Sequence, residues 1–161
     1  MTNNDILRRL RFAFDFADKD AVRFFNLDPS SNAPVDKAGY RARLAKDDDA
    51  DYVPCSDGEL CAFLDGFVVD QRGLRDPAPA PQPPKADDFR LSKNDVLKKL
   101  RIALMFREDD MLETLELGGA KLSRGELGAL FRKPGHKHYR ACGNQVLRNF
   151  IKGLTLQIRG D

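Results

Sequence analysis

The segment Asn4-Asp5-Ile6-Leu7-Arg8-Arg9-Leu10-Arg11-Phe12-Ala13 returns 90 residues later as Asn94-Asp95-Val96-Leu97-Lys98-Lys99-Leu100-Arg101-Ile102-Ala103. The correspondence runs without a gap to Asp20 against Asp110, and 8 of its 17 pairs are identical. A second block aligns at a spacing of 87: Tyr52 meets Tyr139, Cys55 meets Cys142, Leu60 meets Leu147, Phe63 meets Phe150, Gly66 meets Gly153 and Arg72-Gly73 meets Arg159-Gly160. The change of spacing makes the second copy three residues shorter, near Asp28 to Pro34, where a loop would contract. Two collinear blocks in the same order mark one ancestral unit written twice. The expected organisation is copy one over 1–75, a proline-rich linker over 76–90 and copy two over 91–161.

Each copy reads as helices. Thr2-x-x-Asp5 and Ser92-x-x-Asp95 are capping boxes, with a hydroxyl at the N-cap and a carboxylate three residues on. Ile6, Leu7, Leu10, Ala13 and Phe14 then follow at helical spacing, matched by Val96, Leu97, Leu100, Ala103 and Leu104. Asp20 and Asp110 are the expected caps of a short second helix, which in copy two stops at Gly118-Gly119. A third helix is predicted from Asp36 to Leu44, and from Ser123 to Phe131 ahead of Pro134-Gly135. The fourth is longer, capped by Ser56 with Glu59 or by Asn144. It carries Leu60, Phe63, Leu64 and Phe67, or Leu147, Phe150, Ile151 and Leu154, and ends at Gly73 or Gly160. Gly66 and Gly153 lie inside this helix, where glycine costs roughly 1 kcal/mol against alanine; close approach of another helix explains them. The fold class expected is all-α, two tandem four-helix modules, about eight helices in total. The linker Asp76-Pro-Ala-Pro-Ala-Pro-Gln-Pro-Pro-Lys85-Ala86 should be extended polyproline II, a spacer in preference to a docking ligand.

No apolar run reaches the roughly 18 to 20 residues that span a bilayer, and Met1 to Arg11 lacks the features of a secretory signal. Three cysteines, Cys55, Cys61 and Cys142, form no Cys-x-x-Cys pair and no even set, so free thiols and a cytoplasmic location are expected. Charge is unevenly shared. Residues 1–75 carry 11 Lys/Arg against 14 Asp/Glu, a net of −3, while residues 91–161 carry 14 against 8, a net of +6. Such asymmetry points to an anionic partner for the second half, or to attraction between the halves.

Two copies of Asn-Asp-x-Leu-basic-basic-Leu-Arg, each followed by a Cys and then Leu-x-x-Phe-x-x-Gly, resemble the YehS-like family, bacterial proteins built from a repeated domain of unknown function. The resemblance spans Asn3 to Gly160 and includes His136-Lys137-x-Tyr139-Arg140-x-Cys142-Gly143. It implies a bacterial cytosolic protein and carries over no catalytic residue. The acidic stretch Asp47-Asp48-Asp49 and the linker composition look particular to this chain.

Several groups were weighed for chemistry. His136-x-His138 with Cys142 has metal-ligand residue types, but the spacing matches no standard zinc motif, and the equivalent positions in copy one are Asp49, Asp51 and Cys55. Cys55 and Cys142 precede a helix N-terminus, which favours a thiolate; copy one has no histidine to serve as base, so a small buried residue is the better account. Asn4-Asp5 and Asn94-Asp95 offer carboxylates that the capping boxes already explain. No Walker loop or Gly-x-Gly-x-x-Gly is present, and the acidic, apolar Met111–Leu117 segment is unsuited to reading DNA. No catalytic residue, metal or cofactor is therefore assigned.

Basic residues are the most suggestive feature. Arg8 and Arg11, like Lys98 and Arg101, sit three residues apart on a helix face. Copy two adds Arg132-Lys133 and then Lys137, His138, Tyr139 and Arg140, a basic loop able to meet phosphates and stack a base on Tyr139. The function expected is a helical binding protein without catalytic chemistry, its partner another protein, with RNA, ahead of DNA, as the alternative partner.

Overall fold

The computed structural model describes residues 1–160, which form eight α-helices and no sheet. They divide into two compact units, Met1–Leu91 and one that begins at Ser92. The first holds α1 (Asn3–Phe14), α2 (Asp18–Phe24), α3 (Lys37–Leu44) and α4 (Asp57–Arg72); the second holds α5 (Lys93–Leu104), α6 (Glu108–Leu117), α7 (Arg124–Leu130) and α8 (Asn144–Arg159). No helix among the described residues is long and apolar enough to cross a membrane.

Local chemistry starts these helices where the sequence places them. Thr2, Ser56, Ser92 and Ser123 each accept a hydrogen bond from the backbone three residues on, and the acid there accepts one back. Two expectations need correction. Asp20 and Asp110 do not cap α2 and α6; the N-caps are Ala17 and Arg107, one turn earlier. Asp110 instead accepts the backbone N–H of Arg107 at 2.8 Å. Asn144 does not cap α8 either, because Gly143 holds that position without a side-chain bond. In both cases the first turn begins where the extended backbone ends; in α2 and α6 the acid then lies inside the turn, near the positive end of the helix dipole.

α1 and α5 end without glycine. Asp15 and Met105 take the left-handed conformation, φ 53° and 57°, and each cap N–H donates to the carbonyl one turn back, Arg11 or Arg101. That geometry costs a non-glycine residue roughly 1 kcal/mol or more, and both copies accept it.

The predicted stripes are the core. Leu10 and Leu100, and Phe63 and Phe150, are at most 1 % exposed. Phe63 meets Phe16, Phe24 and Phe25, while Phe150 meets Phe106, the counterpart of Phe16. The long helix of each unit packs on the second helix, α2 on α4 and α6 on α8. Gly66 and Gly153 make this possible: an added Cβ would lie 1.8 Å from the Phe24 carbonyl oxygen or 1.9 Å from that of Thr114. Gly118, expected only to end α6, is equally tight, 1.7 Å from the Asn149 carbonyl oxygen.

The proline-rich segment runs along the first unit. Its Gln82 N–H donates to the Pro29 carbonyl at 2.8 Å, and Leu91 N–H donates to Asp57 Oδ2 at 2.8 Å.

Candidate binding surface

The first turn of α1 and of α5 buries an asparagine. Asn4 Nδ2 donates to the carbonyls of Arg43 (3.0 Å) and Val53 (2.9 Å), and its Oδ1 accepts from the Cys55 N–H (3.0 Å) and the Tyr52 hydroxyl (3.3 Å). Asn94 repeats the set on equivalent partners: Leu130 and Arg140 carbonyls, both at 2.9 Å, Cys142 N–H at 2.8 Å and the Tyr139 hydroxyl at 3.1 Å. Two donors and two accepting positions are thus all used. The amide ties the first helix to the end of the third and to the strap leading into the fourth.

This network bears on several sequence candidates. The Tyr139 hydroxyl is engaged inside the module, and the residue is half-buried. Cys55 and Cys142 are buried thiols, pushed up from 9.0 to about 12 and about 11, chiefly by burial, with the Glu59 carboxylate a further cause for Cys55. The helix N-termini beside them do not produce thiolates, because loss of water outweighs the dipole. Asp5 and Asp95 serve their capping boxes.

The basic candidates divide. Arg8 Nη1 donates to the Ala45 carbonyl at 2.7 Å, and its other nitrogen pairs with Asp5, so this guanidinium closes the C-terminal end of α3 and is not an open ligand site. Arg101 lies 4.8 Å over the Phe131 ring and donates through Nε to the Phe106 carbonyl at 3.2 Å. Arg140 is exposed and reaches Glu126 at 3.5 Å, a pairing that leaves most of its donors in water. Arg11 and Lys98 are exposed on their helices. Arg132, Lys133, Lys137 and His138 are exposed too, and among the described residues no ion pair holds the charge of Arg132, Lys133 or Lys137. Lys98 stands where Arg8 stands in the first unit, and Arg132 where Ala45 stands. On the second unit the Arg101–Phe131 stack adjoins the start of the loop from Arg132 to Arg140, and Lys98 stands exposed three residues before Arg101 on the same helix.

The loop is rigidly specified. His136 N–H donates to the Lys133 carbonyl (3.0 Å), Tyr139 N–H to the His136 carbonyl (2.9 Å), and His138 N–H to His136 Nδ1 (3.0 Å). The first unit makes the same three bonds from other residues: Asp49 N–H to Lys46 (2.9 Å), Tyr52 N–H to Asp49 (3.2 Å), and Asp51 N–H to Asp49 Oδ1 (2.8 Å). Comparable turns thus carry Asp47, Asp48, Asp49 and Asp51 in one unit and Lys133, His136, Lys137 and His138 in the other, although Gly135 takes a left-handed φ of 93° where its counterpart Asp48 does not. His136 and His138 lie with ring centroids 5.6 Å apart, but Nδ1 of His136 is occupied by the turn and Cys142 is buried. Among the described residues no group of three or more His, Cys, Asp or Glu is placed to hold a metal ion.

Comparison with known proteins follows the same duplication. The family model described as "Protein of unknown function (DUF1456)" matches twice, at residues 3–73 and 93–160. The chain is 37% identical over 155 residues to "Uncharacterized protein YehS" of Escherichia coli (strain K12), covering 96% of this chain and 95% of that protein. No solved structure matches significantly. With its model present twice and this relative aligned from end to end, the chain belongs to the DUF1456 family, a family of unknown function.

Proposed function

We propose that this chain is a non-catalytic binding protein of the cytoplasm, and that its second module recognises an anionic partner protein through Lys98 and the loop from Arg132 to Arg140. The observation that carries the reading is the set of exposed cations Arg132, Lys133 and Lys137 on a backbone fixed by three internal hydrogen bonds. A preformed backbone spares the ordering of the loop on binding, so only side-chain freedom is lost there. The residues with reactive chemistry are employed otherwise: the asparagines, tyrosines and cysteines of both modules hold the fold together.

The test is capture of partners by the full chain against a variant with Lys133, Lys137 and Arg140 changed to Ala. A protein bound stoichiometrically by the wild type and lost by the variant is expected; equal recovery by both would remove the reading.

RNA is the second reading, favoured by the absence of carboxylates interleaved between Arg132 and Lys137. Such binding would rest chiefly on phosphates and tolerate many sequences. Its affinity should fall steeply with salt, by roughly 0.7 log units per log unit of salt for each phosphate contacted on a single strand. Undetectable binding in low salt would dispose of it.

A further inference from the structure

Corresponding exposed loops of the two modules carry opposite net charge: residues 45–51 hold one Lys and four Asp, and residues 132–138 hold three Lys/Arg and no acid. On the first, Phe12 lies one turn beyond Arg8 on α1 and is 57% exposed, and the neighbouring loop carries Asp47, Asp48, Asp49 and Asp51, all exposed. On the second, the equivalent Ile102 lies one turn beyond Lys98 and is 36% exposed. Met105 follows at 66% exposed, and the neighbouring loop carries Arg132, Lys133 and Lys137. Arg8 bonds Ala45 and Arg101 stacks on Phe131, so in each module the first helix is tied to the start of the charged loop.

We infer that the acidic face of the first module is the partner of the basic face of the second on another copy of this chain. This rests on the proposed role of the basic loop as a binding surface and names its occupant. Exposed apolar side chains flanked by polar ones are the anatomy of a protein interface, apolar at the centre and charged at the rim. Ile102 and Met105 call for apolar surface on the occupant. The face around Phe12 supplies it together with four carboxylates, whereas a phosphate backbone supplies only charge. Pairing of like faces is disfavoured, because it would set the aspartates of one loop against those of another. Each chain carries one face of each sign, so the acidic face of one copy can seat the basic face of another.

The experiment is sedimentation equilibrium on the full chain from low to high micromolar concentration, in low salt and again well above physiological ionic strength. The wild type should approach twice its monomer mass as concentration rises, more weakly in high salt. Lys133→Glu with Lys137→Glu should weaken the dimer at least about tenfold, as should Asp47→Lys with Asp48→Lys, and combining the four changes should restore it. Met105→Asn, chosen because asparagine tolerates the left-handed backbone at this position, should weaken the dimer at both salt concentrations. All these positions are exposed, and circular dichroism checks that each variant is folded. A wild type that stays monomeric throughout, or a dimer indifferent to every one of these changes, overturns the inference. If the chain is monomeric yet a sulfated polysaccharide column retains the wild type and not the Lys133→Glu, Lys137→Glu variant, self-pairing fails while the basic loop keeps its role as a binding surface. If that column separates neither, the role itself fails.

Discussion

Asn94→Ala is expected to be among the most damaging single changes to the second module. It removes four hydrogen bonds at once. At about 1 kcal/mol net for each bond, the loss would reach about 4 kcal/mol. The Leu130 carbonyl and Cys142 N–H are buried and stay unsatisfied, whereas the Tyr139 hydroxyl and Arg140 carbonyl are partly buried and regain water, so about 3 kcal/mol is the better figure. For a domain of this size each kcal/mol moves the melting temperature by roughly 4–8 °C, which places the transition of this module about 12–24 °C lower. Asn94→Asp separates hydrogen bonding from volume. It is nearly isosteric and keeps the accepting oxygen, yet it turns two donors into an acceptor facing the Leu130 and Arg140 carbonyls, so it should cost at least as much as alanine. Tyr139→Phe removes one bond and should cost about 1 kcal/mol. Because the chain has no Trp, unfolding is followed by circular dichroism in urea and by calorimetry on the full chain. An alanine variant that loses less than about 1 kcal/mol, or an aspartate variant as stable as wild type, would refute the role given to this amide.

Gly153→Ala should destabilise by about 3 kcal/mol or more, since its Cβ would fall 1.9 Å from the Thr114 carbonyl oxygen and only backbone movement relieves that; calorimetry reads it, and an unchanged melting temperature would mean α6 and α8 do not pack this closely. Tyr40→Phe should be neutral or stabilising by up to about 1 kcal/mol, because the Tyr40 hydroxyl is the one buried side-chain oxygen or nitrogen among the described residues without a partner; a clear loss in urea titration would reveal a bond to that hydroxyl. Stability should fall as pH rises above 9: unfolded thiols release their protons near 9.0 while folded Cys55 and Cys142 hold theirs to about 12 and about 11, so the native state binds more protons in that window. Cys55→Ala with Cys142→Ala should flatten that slope in urea titrations from pH 8 to pH 10; an unaltered slope would place it elsewhere.

The fold was legible because the signals that specify it are local and repeated. Capping boxes at Thr2, Ser56, Ser92 and Ser123 announce helix starts within four residues, and the Leu10 and Phe63 stripes show their period directly. Helix ends at Asp15 and Met105 were hidden, because nothing in an aspartate or a methionine advertises a left-handed backbone. The asparagine hub was hidden for a different reason. Its partners lie 36 to 51 residues away, and a polar residue in a first helical turn reads locally as an ordinary N-terminal residue. The clue lay in the repeat: Asn4, Tyr52 and Cys55 are all kept as Asn94, Tyr139 and Cys142, and residues kept together across two copies without shared chemistry are kept because they touch. The intramodule contacts of Arg8 and Arg101 were not legible, because a long side chain on an exposed helix face reads as free until the carbonyl or ring beside it is known.

A duplicated chain thus separates two kinds of difference. Arg43 and Glu59 form a bidentate, half-buried pair at 3.0 and 2.7 Å, and their equivalents are Leu130 and Val146. An ion pair taken largely out of water gains little over well-packed apolar side chains of similar size, so either solution serves the same joint and the exchange says nothing of function. The loops after α3 and α7 differ in another way. Three turn bonds recur in both modules, and they engage the side chains of Asp49 and His136 as acceptors. The remaining charges, Asp47, Asp48 and Asp51 in one loop and Lys137 in the other, stand exposed and are not required by those bonds. Opposite net charge on two exposed loops is best explained by what lies outside the module, and that is why the charged loops, rather than the cysteines or the asparagines, are where a partner should be sought.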